Sequence, residues 1–335
     1  SQRKKAKDEA KAKLADGTVK IAVGTHALFS DDVEFQNLGL VIVDEQHRFG
    51  VAQRLALKNK GRDVHQLMMS ATPIPRTLAM SFFADLDVSV IDELPPGRTP
   101  IKTRLVNNVR RAEVEGFVLG TCRKGRQAYW VCPLIEESET LQLQTAAETL
   151  ARLQTALPEL NIGLVHGRMK AAEKAEVMAR FSSGELNVLV ATTVIEVGVD
   201  VPNAALMVIE HAERMGLAQL HQLRGRVGRG AAESVCVLLF AEPLGELAKA
   251  RLKVIYEHTD GFEIARQDLN IRGPGEFLGA RQSGVPMLRF AKLEEDLHLL
   301  EQAREIAPIL IEQNPEIVEA HLARWLSGRE GYLGV

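Results

Sequence analysis

Residues 38 to 50 read LGLVIVDEQHRFG, and this stretch decides the fold that the sequence predicts. Its branched apolar run, Leu40 to Val43, is typical of a strand buried on both faces of a parallel sheet. The run leads directly into Asp44 and Glu45, and the ligands of parallel sheets gather at the carboxyl ends of the strands. Two adjacent carboxylates there suit a magnesium ion that carries nucleotide phosphates, although a strand ending in a solvated acidic turn has the same pattern.

Apolar strands followed by small polar residues recur on both sides of this stretch. VKIAV, residues 19 to 23, predicts a strand that ends at Gly24 and Thr25. QLMM, residues 66 to 69, predicts another that runs into Ser70-Ala71-Thr72. Such endings can offer N–H and hydroxyl groups to a phosphate or relay the state of a nucleotide. Judged locally, an ordinary strand-to-helix turn explains the first ending better, and a Ser/Thr helix cap explains the second better.

The segment LPPGRTP, residues 94 to 100, is rich in Pro and Gly and predicts a domain boundary. After it, strands and helices alternate again, which indicates a second parallel sheet with covering helices. The predicted strands are 127 to 133, 161 to 167, an apolar run from 186 into Thr192 and Thr193, and 205 to 210. The predicted helices are 139 to 157 and 170 to 184, and Gly184 closes the second.

A cluster of arginines lies in QLHQLRGRVGRG, residues 219 to 230. Arg226 and Arg229 are three positions apart, so on a helix they would share a face and reach one anion together. Guanidinium groups offered by a second domain are what phosphoryl transfer uses to offset charge on a γ-phosphate. A basic surface turn is the alternative. Beyond residue 245 the pattern is mainly helical, with a glycine-rich loop at 268 to 284 and two amphipathic helices within 292 to 328.

Composition excludes several classes of protein. A net charge of −3 over 335 residues argues against a DNA-coating protein, but it allows a translocase with a local basic track. The three cysteines are scattered without a CxxC pair, which argues against a disulfide framework or a zinc site and indicates a reducing compartment. The sequence contains no apolar run of membrane-spanning length and no signal-peptide core, so we expect a cytoplasmic protein. The lysine-rich first residues look like a helix entered midway, and we expect a piece of a longer chain.

Taken in order, these segments resemble the motifs of superfamily 2 helicases. The matching motifs are Gly24-Thr25, DEQH at 44 to 47, SAT at 70 to 72, ATTVIEVGVDVP at 191 to 202 and QLRGRVGR at 222 to 229. DEQHRFGVAQR, SATPIPRTLAM, LPPGRTP and IRGPGEFLGARQSG narrow the resemblance to the RecG branch-migration helicases, whose nearest relative is the Mfd transcription-repair coupling translocase.

The resemblance implies an α/β fold: tandem RecA-like parallel-sheet motor domains, the first one partial, and a mainly helical C-terminal region. The implied boundaries are 1 to 96 for the C-terminal part of the first motor domain, 97 to 245 for the second, and 246 to 335 for the helical translocation-motif region and tail. The nucleotide would sit between the two sheets.

The resemblance also implies site residues, which fall into three groups. Residues acting on the nucleotide would be Asp44, Glu45, Gln46, His47, Gln222, Arg226 and Arg229, with Gly198 and Asp200 facing the cleft. Asp44 and Glu45 would hold Mg²⁺ and activate water, and Arg226 and Arg229 would be arginine fingers. The DNA-backbone track would comprise Thr25, His166, Gly167, Thr192 and Thr193, and the translocation loop would contain Arg272 and Gln282.

The implied function is ATP-dependent translocation on double-stranded DNA that regresses stalled forks and migrates Holliday junctions. ATP and Mg²⁺ would be the cofactors and branched DNA the partner of a monomer, with a single-stranded DNA-binding protein as a further candidate partner. The sequence contains no G-x-x-x-x-G-K-[ST] loop, which cradles phosphates, so we expect little ATPase activity from this chain alone. The alternatives are an Mfd-like translocase and a non-catalytic fragment that binds DNA or a partner.

Overall fold

The computed structural model describes residues 4–45, 60–61, 63–70, 87–91, 93, 98–133, 139–192, 201–230, 233–272 and 296–326. Its contacts divide the chain into two compact units. One contains the residues up to 70 together with the C-terminal helices, and the other contains residues 98 to 272. Each unit is described by itself.

The first unit is built on a two-stranded parallel sheet. Strand β1 (Leu40–Val43) pairs with β2 (His65–Met68), with Leu40 opposite His65 and Val43 opposite Met68. Helix α1 (Lys4–Ala15) precedes them, and helices α8 (Leu297–Gln313) and α9 (Pro315–Leu326) pack against each other at the C-terminal end. The two strands and α1 lie where the sequence predicts them, and the amphipathic helices within 292 to 328 are confirmed.

The predicted strand at residues 19 to 23 is wrong. This segment has no regular secondary structure, and its apolar side chains Ile21 and Val23 are 81% and 96% exposed. A strand is stabilised by ladder hydrogen bonds and by burial of alternate side chains. Within the described residues neither β1 nor β2 pairs with this segment, so its alternating pattern gains neither contribution.

The second unit is built on a six-stranded parallel sheet of order β3-β8-β7-β4-β6-β5. The strands are β3 (Lys102–Asn107), β4 (Gln127–Val131), β5 (Ile162–Val165), β6 (Val188–Ala191), β7 (Ala204–Ile209) and β8 (Val235–Phe240). The connecting helices are α2 (Arg111–Arg123), α3 (Glu139–Ala156), α4 (Ala171–Ser182) and α5 (Leu217–Arg224), followed by α6 (Glu246–Glu257) and α7 (Gly261–Arg272). The predicted α/β class with a parallel sheet is therefore confirmed.

The central strands of this sheet are buried on both faces. Along β4, Tyr129 and Val131 belong to one hydrophobic core, whereas Ala128 and Trp130 belong to a second core on the opposite face. This alternation follows from the two-residue period of a strand. Every residue of β4, β6 and β7 is buried, which explains why their sequences are continuous apolar runs.

The three cysteines lie inside these cores. Cys122, Cys132 and Cys236 are all buried and carry free thiols. Burial raises the pKa of Cys122 to about 11 and the pKa values of Cys132 and Cys236 to about 12. Because the thiolate is the reactive form, these side chains act as small apolar groups of the core.

Helices α6 and α7 pack on the second unit as well. Helix α7 contacts both α5 and α6, and α6 also contacts β3. The compact unit around the six-stranded sheet thus includes residues on both sides of 245, whereas the boundary predicted at that position stays a prediction.

Candidate functional site

The predicted arginine cluster forms a turn at the amino edge of the six-stranded sheet. Helix α5 ends at Arg224, and the Gly225 N–H donates to the His221 carbonyl oxygen at 3.0 Å. Gly228 has a φ of +77°, a conformation that favours glycine and that ends any helical path. Arg226 and Arg229 therefore lie beyond the helix, and the helical face that their spacing would give them does not form.

We call residues 225 to 230 the arginine turn. Val227 is completely buried and fixes the middle of the turn to the core, whereas Arg226 is half-buried and Arg229 is exposed. Gln222 lies half-buried in the last turn of α5. Arg226 directly precedes this buried valine, so the backbone beside Arg226 is held by the core.

Arg224 is buried and has a different environment from Arg226 and Arg229. Its Nη1 donates to the carbonyl oxygens of Ile255 at 2.8 Å and His258 at 2.9 Å, which lie at the end of α6. Its Nη2 lies 3.0 Å from His221 Nδ1, and a guanidinium only donates, so this nitrogen of His221 is the acceptor. Arg224 joins the end of α5 to the end of α6 and is a structural residue, which its spacing in the sequence did not reveal.

The carboxyl edge of the same sheet carries a second group of predicted residues. Val165 in β5 is in register with Ala191 in β6, so His166 and Thr192 follow their strands side by side. The Thr192 N–H donates to the Val165 carbonyl oxygen at 3.3 Å, and Lys174 Nζ donates to the Gly167 carbonyl oxygen at 2.8 Å. Three members of the predicted DNA track are therefore adjacent.

His166 has one ring nitrogen without a hydrogen-bond partner. Its Nδ1 is buried and has no partner among the described residues. Partial burial lowers the pKa of His166 below its usual value, and the charges of Lys174 and Arg168 add to this effect. A buried ring nitrogen without a partner favours a ligand that supplies one.

A buried carboxylate at the carboxyl edge escaped the sequence analysis. Glu210 follows β7, is 2% exposed, and accepts hydrogen bonds from Arg111, from Trp130 Nε1 at 2.7 Å and from Arg152 Nη2 at 3.0 Å. Burial alone would raise the pKa of Glu210, but the hydrogen bond and charge of Arg111, with Trp130 and Arg152, lower it. The signal in the sequence was an acidic residue directly after an apolar strand, as at Asp44.

In the first unit, Asp44 and Glu45 follow β1 as the sequence predicts. The Glu45 N–H donates to Asp44 Oδ1 at 2.9 Å, and Glu45 has a φ of 54°. The described residues contain no group of three His, Cys, Asp or Glu side chains that could hold a metal ion. Two carboxylates nevertheless fit Mg²⁺, which takes one or two from a protein and completes its shell with water and phosphate oxygens. Thr25 is exposed at the start of a short 3₁₀ turn, His26–Leu28.

Several predicted site residues lie outside the described residues. They are Gln46, His47, Thr193, Gly198, Asp200 and Gln282. Arg272 is the last residue of α7, and its side chain is also outside the described part. In the described ranges, no helix combines the length and the apolar composition needed to cross a membrane.

Comparison with known proteins assigns three segments of the chain to families. Residues 1 to 81 match the DEAD/DEAH box helicase family, and residues 111 to 231 match the helicase conserved C-terminal domain. Residues 258 to 325 match the C-terminal part of domain 3 of ATP-dependent DNA helicase RecG.

Curated proteins agree with these matches. The ATP-dependent DNA helicase RecG of Acidithiobacillus ferridurans is 58% identical over 95% of this chain, and that of Escherichia coli K12 is 56% identical over 99%. The chain is homologous, over nearly its whole length, to a part of the RecG helicases. It spans about half the length of the RecG relatives it matches, 47% and 48% of these two.

A solved RecG structure gives the same assignment for the fold. The structure of RecG bound to a three-way DNA junction is 48% identical, covers 90% of this chain and has a TM-score of 0.66, while the chain covers 38% of that RecG. These matches favour RecG over the Mfd-like translocase and over the non-catalytic fragment, the two alternatives that the sequence left open.

Proposed function

We propose that this chain is part of an ATP-dependent translocase that moves on double-stranded DNA and remodels branched DNA, including stalled forks and Holliday junctions. The observation that carries the proposal is the arginine turn, which presents Arg226 and Arg229 from a base fixed by Val227. Guanidinium groups on a fixed base offset the charge that develops on a transferred phosphoryl group.

The acidic pair is assigned to the metal and the water. Asp44 and Glu45 end β1, and their carboxylate oxygens are ligands of the kind that Mg²⁺ prefers. When bound, Mg²⁺ would neutralise charge on the phosphates of ATP. Glu45 would orient the attacking water, and Gln46 and His47 would report the state of the nucleotide to the second motor domain.

The arginines are assigned to the γ-phosphate. Arg226 and Arg229 would act as arginine fingers, and Gln222, one helical turn earlier, would orient them. Gly198 and Asp200 would face the same nucleotide. This assignment requires that Arg226 act on charge that grows during the reaction, so its loss should lower the rate constant of hydrolysis more than the affinity for ATP.

The DNA backbone is assigned to the carboxyl edge of the six-stranded sheet. His166, Gly167 and Thr192 are adjacent there, and the unpartnered ring nitrogen of His166 would meet a phosphate or sugar oxygen. Thr193 and Thr25 complete the proposed track, and Arg272 and Gln282 belong to the proposed translocation loop. Such contacts hold the duplex without reading its sequence.

The proposed partners follow from this function. Branched double-stranded DNA is the substrate of a monomer in the cytoplasm, and a single-stranded DNA-binding protein is a further proposed partner. The proposed domains are 1 to 96, 97 to 245 and 246 to 335.

Two preparations test the proposal: this chain alone, and the longer protein that contains it. We expect DNA-stimulated ATP hydrolysis and fork unwinding from the longer protein, and little of either from the chain alone, because its sequence contains no phosphate-binding loop. Turnover by the chain alone would contradict the expectation for the fragment. Absence of both activities from the longer protein would overturn the proposed function.

A further inference from the structure

The arginine turn is held by a segment that lies far from it in the sequence. Arg98 Nη2 donates to the carbonyl oxygen of Gly225 at 3.1 Å, across 127 positions of the chain. Gly225 directly follows α5, where backbone carbonyl groups lack partners within the helix. Arg98 supplies the missing donor, and its positive charge lies at the helix end that favours cations.

The same segment contacts the turn at a second point. At Gly228 a side-chain Cβ would lie 2.9 Å from Cγ1 of Ile101, so the backbone of Gly228 rests directly on Ile101. Residues 98 to 101 therefore contact both glycines that flank Arg226, one through a hydrogen bond and one through packing. The direction of the Arg226 backbone depends on where this segment lies.

The opposite side of the turn is fixed independently. Arg224 is bonded to the carbonyl oxygens of Ile255 and His258, and a Cβ at Gly230 would lie 2.5 Å from the Pro202 carbonyl oxygen. These contacts attach the ends of the turn to α6 and to the start of β7. Residues 98 to 101 reach the portion bearing Arg226 next to the buried Val227, and they come from a distant part of the sequence.

We propose that Arg98 is a positioning residue for the arginine turn, which fixes the orientation of Arg226 through the Gly225 carbonyl group. This inference rests on the proposed function of Arg226 as an arginine finger. Arg98 belongs to LPPGRTP, the segment that the sequence predicts to connect the two motor domains. A change in the course of this connection would be transmitted to the finger through one hydrogen bond and one packing contact.

The test uses the longer protein that contains this chain and compares Arg98→Ala with Arg98→Lys. An ammonium group can donate to the Gly225 carbonyl oxygen, so the lysine variant should recover part of the loss. The matched control is Arg126→Ala, since Arg126 is an exposed arginine of the same unit with one side-chain hydrogen bond, to Asn203 Oδ1 at 3.3 Å. The kcat and KM for ATP, the affinity for forked DNA and the Tm are measured for each variant.

We expect Arg98→Ala to lower kcat by about tenfold to a hundredfold, the loss expected from small misplacement of a catalytic group. The KM for ATP, DNA affinity and Tm should stay close to those of the parent protein, because the hydrogen bond described for Arg98 is made to the turn. Arg98→Lys should have an intermediate kcat, and Arg126→Ala should match the parent.

Two results would overturn the inference. One is a kcat of Arg98→Ala equal to that of the parent while Arg226→Ala is inactive, which would leave the finger in place without Arg98. The other is a fall of kcat in Arg98→Ala that is accompanied by a fall of Tm. In that case Arg98→Lys would also lose as much kcat as Arg98→Ala. If Arg226→Ala itself keeps full turnover, the proposed function of the turn fails, and the two failures are thereby distinguished.

Discussion

The arginines at the two edges of the six-stranded sheet differ in which of their atoms the surrounding structure holds. At the amino edge, Arg226 and Arg229 are presented by a turn whose own backbone is fixed by Val227 and by glycine contacts. At the carboxyl edge, Arg111 and Arg152 form ion pairs with a buried carboxylate, Glu210. The contacts described at the amino edge hold the backbone beside Arg226, whereas at the carboxyl edge a buried carboxylate binds the guanidinium groups of Arg111 and Arg152.

Single substitutions at each edge test whether the charged residues there act in catalysis or in stability. The largest expected effect is at the amino edge. Arg226→Ala in the longer protein should lower ATP turnover by about a thousandfold or more, the usual contribution of an arginine finger. Forked-DNA affinity, measured by fluorescence anisotropy at fixed salt, should change little.

The exposed arginine variant Arg126→Ala is the control for this experiment, because it removes an equal charge from the same unit. Equal losses of turnover and of DNA affinity in Arg226→Ala would show instead that Arg226 contacts DNA, and the contrast between the two edges would disappear.

The next effect concerns stability at the carboxyl edge. Glu210→Ala removes the acceptor of Nη1 of the largely buried Arg111 and of the indole N–H of Trp130. Breaking a buried pair in this way costs about 3 to 5 kcal/mol of unfolding free energy. Urea denaturation of the chain measures this change.

Glu113→Ala provides the matched comparison for Glu210→Ala. Glu113 pairs with Arg110 at 2.6 Å, but both side chains are more than 60% exposed, so we expect no measurable change in the denaturation midpoint. Equal destabilisation by the two variants would contradict the role of burial at Glu210.

A third effect is the pH dependence that His221 gives to the base of the arginine turn. Burial, with the nearby charges of Arg224 and Arg98 and against that of Asp260, lowers the pKa of His221 from 6.5 to about 4. Between these values the unfolded chain binds a proton that the folded chain does not, so stability falls as the pH decreases from 6.5 to 4. The loss should amount to about 3 kcal/mol over this window.

His221→Asn isolates this contribution, since the asparagine Oδ1 can accept from Arg224 without binding a proton. Urea denaturation of both proteins at several pH values between 7 and 4 gives the difference in their unfolding free energies. The titration of other groups affects both proteins and cancels in this difference. A constant difference across this range would contradict a buried neutral His221.

The smallest effect is expected for His166. His166→Ala in the longer protein should weaken forked-DNA binding by about tenfold, the value of one hydrogen bond to a charged group, and should leave the KM for ATP unchanged. His65→Ala, an exposed histidine of β2, is the control. A change in ATP hydrolysis without a change in DNA affinity would contradict this assignment, because it would show that His166 acts on the nucleotide and not on DNA.

Much of the fold was predictable because buried parallel strands have continuous apolar sequences. Strands β4, β6 and β7 are predicted for this reason, with bounds that differ from the observed ones by one or two residues. Strand β3 was missed because it is an edge strand with a mixed pattern, KTRLVN. Strand β8 was missed too, since a short apolar run such as VCVLLF cannot be told from a buried helical segment by periodicity.

The site was predictable only where the signal is local. The positions of Asp44, His166 and Thr192 after apolar strands follow from the sequence, as does the cluster of arginines. The same local signal marks Glu210, but its three hydrogen-bond donors come from distant segments. Arg98 carries no local signal at all, because its acceptor lies 127 positions away and is a backbone carbonyl group.

The buried thiols have a practical consequence for labelling the chain. At neutral pH, Cys122, Cys132 and Cys236 are protonated and shielded from solvent, so maleimide reagents will react with them slowly. A cysteine introduced at the 90% exposed Val109 can therefore be labelled selectively with a fluorophore, without first replacing any of the three native cysteines.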